Sequence, residues 1–127
     1  MSAQLVLAVA AGGALGSAAR YLAGVGSTKL FGFGFPWGTL IVNVAGSFLI
    51  GVFIELFALK ADLPQEVRVF LTVGICGGFT TFSTFSLYAY VMMERGEWWP
   101  AAAYIVASVV LSIAGLIGGL QLIRALS

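Results

Sequence analysis

Hydrophobic positions fill four stretches of this chain, residues 4–24, 37–59, 66–93 and 98–123, and polar positions gather in the short gaps between them. Each stretch reaches or exceeds the roughly 20 residues that a helix needs to cross the hydrocarbon core of a bilayer. The gaps have loop chemistry. Glycine, proline and Lys29 mark residues 26–36, Lys60-Ala61-Asp62-Leu63-Pro64 forms the second, and Glu94-Arg95-Gly96-Glu97 the third. Trp37, Trp98 and Trp99 fall at the ends of stretches, where an interfacial aromatic belt puts them. No basic segment precedes the first stretch, so it is kept as a helix rather than a leader. The pattern predicts an all-α membrane protein, one four-helix transmembrane domain over residues 1–127.

The polar positions inside the stretches are more informative than the gaps. On the second helix Thr39, Asn43 and Ser47 recur four apart, and on the fourth Tyr104, Ser108 and Ser112 do the same, so each trio shares a face. A single hydroxyl usually bonds back to its own helix. Two stripes, one with an amide that is costly in lipid, point to a lined pathway. The third helix holds GICGGFTTFSTF, residues 74–85. Its glycines each weaken a helix by about 1 kcal/mol relative to alanine, and Thr80, Thr81, Ser83 and Thr84 follow. The expectation is a helix interrupted near its middle, over the glycines, with freed carbonyls able to hold a cation. Beyond it Phe82 and Phe85 share a face, and ring edges carry partial positive charge that suits an anion. A phosphate loop is not indicated, because the Gly-Lys-Ser/Thr ending is missing.

Composition narrows the functions. With 61% hydrophobic and 9% charged residues, the chain cannot cover a soluble globule, and a net charge of +1 gives no nucleic-acid footprint. The one cysteine, Cys76, reads as a small buried hydrophobe. Histidine is absent, and the acids Glu55, Asp62, Glu66, Glu94 and Glu97 lie near or outside helix ends, so a proton relay is poorly supported. Arg20 reads either as a snorkelling side chain near the end of the first helix or as a charge reaching inward. Lys60, Arg68 and Arg124 on one side face Lys29 and Arg95 on the other, or also Arg20, an almost even balance. That balance fits a weakly biased single orientation or insertion both ways as an antiparallel pair. Gly12, Gly16 and Gly24, with Gly115 and Gly119, supply close-packing faces.

The GGFTTFSTF run, the Asn43 helix, the four-span length and the balanced basic loops resemble the Fluc (CrcB) fluoride channels over essentially the whole chain. The resemblance implies a passive channel, not an enzyme, exporting toxic fluoride across the bacterial inner membrane as a dual-topology antiparallel homodimer with two pores. By that resemblance Phe82 and Phe85 are the pore phenylalanines, and Asn43 contributes to the same path. Ser83 and Thr84 fall on a polar track, with Tyr104, Ser108 and Ser112 near the pore, Thr39 on the same stripe as Asn43, and Arg20 as the basic residue of the first helix. The carbonyls of Gly77 and Thr80 match a structural sodium ion at the dimer axis. The alternatives are a small gradient-coupled exporter of another solute and a non-transporting assembly or lipid-interaction subunit.

Overall fold

Ser2 begins the first helix by accepting a hydrogen bond from the Leu5 N–H at 3.1 Å, an N-terminal cap. From there a computed structural model describes residues 2–60 and 62–127; Ala61 of the expected second loop lies outside the described residues. The helices are α1 (Ala3–Phe31), α2 (Trp37–Leu59), α3 (residues 65–79), α4 (Phe82–Glu94) and α5 (Trp98–Leu126). Taken together, α3 and α4 form one span, Gln65–Glu94, so four helices are long and apolar enough to cross a membrane.

Two boundaries differ from expectation. The first helix runs on to Phe31 instead of ending at residue 24, through Gly26 and Lys29. Glycine costs a helix only about 1 kcal/mol, and Lys29 sits in the last turn, where the helix dipole favours a cation. The stop is Gly32, whose positive φ of 80° suits glycine and whose N–H closes on the Thr28 carbonyl at 2.8 Å. This extension leaves Arg20 well inside the helix rather than near its end. The last helix continues to Leu126, past the expected 123, with Arg124 in its final turn.

The third span differs more. The glycines do not break it. Phe70–Cys76 winds as a π-helix, with the Gly77 N–H reaching back five residues to the Thr72 carbonyl, and Gly77–Phe79 completes an α turn. The interruption comes just afterwards, at Thr80 and Thr81, both in extended backbone. The glycines serve close approach instead. A Cβ on Gly12 would land on the Phe70 carbonyl, one on Gly16 on the Ile75 carbonyl, and one on Gly78 2.7 Å from the Gly13 carbonyl oxygen. So α1 and α3 meet backbone to backbone, the contact that small residues allow in lipid.

The second seam joins α2 and α5. A Cβ on Gly51 would strike the Leu116 carbonyl and one on Gly119 the Phe48 carbonyl. Near the Trp37 end, Leu40, Ala89, Met92, Ala101 and Tyr104 form the buried cluster that ties α4 to this pair. Leu7, Leu15, Leu22, Val109, Ile113 and many others stay exposed. That outer surface is matched to hydrocarbon rather than water.

Candidate functional site

The interruption costs the span its regular hydrogen bonds, and hydrocarbon offers no replacements. Side chains from both neighbouring helices supply them. Asn43 on α2 accepts from the Thr81 N–H at 2.7 Å through Oδ1 and donates to the Thr81 carbonyl at 3.0 Å through Nδ2. Thr81 in turn caps α4, its Oγ1 accepting from the Thr84 N–H at 3.2 Å. From α1, Arg20 Nε donates to the Gly78 carbonyl at 3.1 Å. Arg20 therefore reaches inward, the second of its two expected readings. Thr80 Oγ1 bonds back to the Cys76 carbonyl at 2.9 Å. With the Thr81 and Thr84 amides turned to side chains, the carbonyls of Gly77 and Thr80 lose the donors four residues on that a continuous helix would provide.

Two cavities flank this knot, and Thr81 lines both. The first, about 310 Å³, gathers Asn43 and Ser47 of α2, Thr80, Phe82 and Phe85 around the interruption, and Ser108 and Ser112 of α5. Ile50, Val109 and Ile113 complete its walls, and among the described residues no charged side chain lines it. The two rings stand 5.4 Å apart at 45°, and Phe82 is 78% exposed. The second cavity, about 500 Å³, holds Arg20, Lys29, Thr28, Thr39, Thr84 and Tyr88.

The expected site residues are thus divided. Asn43, Phe82, Phe85, Ser108 and Ser112 come together in one groove, while Arg20, Thr39 and Thr84 meet in the other cavity. Tyr104 lines neither. It is fully buried, with its ring 5.2 Å from Phe85 and 5.5 Å from Phe35, so it backs the Phe85 ring. The Tyr104 hydroxyl is buried beside Thr39, and that of Ser108, one turn on, is buried with no hydrogen-bond partner among the described residues. Ser83 is exposed and has its hydroxyl 3.3 Å from that of Thr81. Thr80 lines the groove, and Gly77 lies outside both cavities.

Sequence reasoning missed the part played by Thr81, whose N–H, carbonyl and hydroxyl are all engaged. The usable signal was a threonine directly preceding a helical run, the preferred position for a cap. It also missed that the deepest acid is spoken for: Glu55 Oε1 pairs with Arg124 Nε at 3.2 Å, joining α2 to α5.

Comparison with known proteins places these features in context. The family model described as CrcB-like protein, Camphor Resistance (CrcB), matches residues 7–120. A Nitrobacter hamburgensis protein named fluoride-specific ion channel FluC 1 is 61% identical over 121 residues, 95% of this chain and 96% of its own. A Nitrobacter winogradskyi protein named fluoride-specific ion channel FluC is 62% identical over 119 residues, 94% of each chain. One of the same name from Agrobacterium fabrum is 55% identical over 116 residues, 91% of this chain and 93% of its own.

Proposed function

The chain belongs to the CrcB family, and on that premise we propose that it is a fluoride-specific ion channel of the bacterial inner membrane, not an enzyme. The observation that carries this reading is identity above 60% over nearly the whole length to proteins named for that activity. The groove supports it chemically. Amide and hydroxyl groups of Asn43, Ser108 and Ser112 and the rings of Phe82 and Phe85 surround one space. Such groups replace part of an ion's water shell, and the lack of fixed charge in the described walls lets the ion leave again. The buried Ser108 hydroxyl, without a partner among the described residues, is a donor available to that ion. In the cavity beyond Thr81, Arg20, Lys29, Thr39 and Thr84 would draw the anion from water toward the groove.

The functional unit in this reading is an antiparallel homodimer with two pores. Its support is the near balance of basic residues across the loops and a polar groove left open on one protomer beside the exposed Phe82. A second copy covering it would spare Asn43 and Ser112 from lipid. The Gly77 and Thr80 carbonyls would hold a sodium ion between the copies, and their lost helical donors fit that role. When bound, the cation neutralises the oxygen dipoles that the interruption frees.

Passive flow is favoured over gradient-coupled export because the deepest carboxylate, Glu55, is held by Arg124 instead of facing the groove. Protein reconstituted in liposomes is expected to release fluoride once a potassium ionophore balances charge, and to retain chloride. Flux that required an imposed proton or sodium gradient would favour the exporter, and sealed liposomes a subunit without transport. For the dimer, a cysteine placed in the loop at Gly96 should be labelled from each face of the membrane. Labelling from one face only would dismiss the dual topology.

A further inference from the structure

We propose that Asn43 is a positioning residue, which holds the interruption by the backbone of Thr81 and through it sets where α4 begins. Its consequence for flux rests on the fluoride-channel reading; the hold itself does not.

Extended backbone at residues 80 and 81 takes the Thr81 N–H out of the helical ladder, so it needs a partner from outside the span, and the Thr81 carbonyl at the start of α4 has room for a second donor. Asn43 is the one side-chain amide in α2, and an amide offers a donor and an acceptor side by side, as a paired backbone does. The observed bonds, 2.7 Å to the N–H and 3.0 Å to the carbonyl, use one of each. A side chain making two such bonds to one residue fixes its position and its orientation together.

That residue is also the cap of α4. Thr81 Oγ1 receives the Thr84 N–H, so the rotation of the first turn of α4 follows from the setting of Thr81. Phe82 and Phe85 stand on that turn, and Phe85 is backed by the buried Tyr104 ring. Asn43 therefore governs the aim of two rings through a backbone they share. Its Oδ1 is spent on an N–H, and only the second amide hydrogen is left for the groove. A residue serving purely as an ion donor would have no need of this pairing.

The test reads Thr81 directly, with no fluoride present. Amide hydrogen exchange is followed by NMR for the full chain in detergent micelles, with Val106, more than two turns inside α5, as internal reference. In Asn43→Ala, Thr81 exchange is expected to quicken by roughly tenfold or more, the scale of one lost buried hydrogen bond, while Val106 is unchanged. Fluoride efflux from liposomes should fall with it. Unchanged Thr81 protection together with lost efflux would overturn the proposal and leave Asn43 a ligand only. Should Asn43→Ala fail to fold, Asn43→Ser, too short to span both bonds, gives the same readout. If wild-type liposomes release no fluoride, the channel reading falls, and Thr81 exchange still decides the hold.

Discussion

Two helix seams in this molecule are built from glycine and end in opposite outcomes. Between α2 and α5, Gly51 and Gly119 bring two unbroken helices together, each against a carbonyl of its partner. Between α1 and α3, Gly12, Gly16 and Gly78 do the same, yet α3 is π-wound and then stops within the span. Glycine spacing therefore does not decide whether a membrane helix breaks. What differs is the sequence after the contact and what surrounds it. Beyond Gly78 come Thr80 and Thr81, whose hydroxyls offer the backbone local alternatives, and Asn43 and Arg20 stand ready to take the groups set free. The two helices of the α2–α5 seam stay regular throughout.

The largest effect is expected from closing the space in either seam. Gly16→Val and Gly119→Val would each drive a side chain into a facing backbone, costing about 1–3 kcal/mol or more. Both should reduce the yield of monodisperse protein on size exclusion. If Gly16→Val were tolerated and Gly119→Val not, the broken span would be the more pliable of the two. A loss of at most similar size, about 1–3 kcal/mol, is expected for Arg20→Met, which leaves the Gly78 carbonyl without its donor. Detergent melting should register it, together with slower fluoride efflux. Thr81→Ala comes next, losing the cap of α4 at about 1 kcal/mol. Thr81→Ser keeps the hydroxyl and should restore the melting temperature. An equal loss for both variants would argue that the cap does not set the first turn of α4. The least effect belongs to the regular seam's ion pair. Arg124 is 58% exposed and Glu55 15%, so Arg124→Gln should cost below about 1 kcal/mol and leave efflux unchanged.

The four spans were legible in the sequence because length and hydropathy suffice for a helix that must satisfy its backbone internally. Loop markers misled at Gly26 and Lys29, since neither residue is incompatible with a last helical turn. The interruption was legible in kind but misplaced by a few residues. Glycine propensity pointed to 74–78, whereas tertiary contact with α1 keeps those residues helical and moves the break to Thr80 and Thr81. Among site residues, the stripes on α2 and α5 gave Asn43, Ser108 and Ser112 by spacing alone. Spacing could not show that Thr39 and Thr84 lie across Thr81 in a different cavity, or that Tyr104 is buried behind Phe85. A four-residue stripe drifts around a helix, and which cavity it meets depends on the neighbours.

The central claim is that fluoride passes along the groove where Phe82 and Phe85 stand, on the far side of the interruption from Arg20. Fluoride efflux from liposomes containing Phe85→Ile, in protein with an unchanged size-exclusion profile, tests it most directly. Efflux is expected to fall by roughly fivefold or more, the scale of losing an aromatic electrostatic contact of about 1 kcal/mol. Efflux equal to that of the wild type would contradict it.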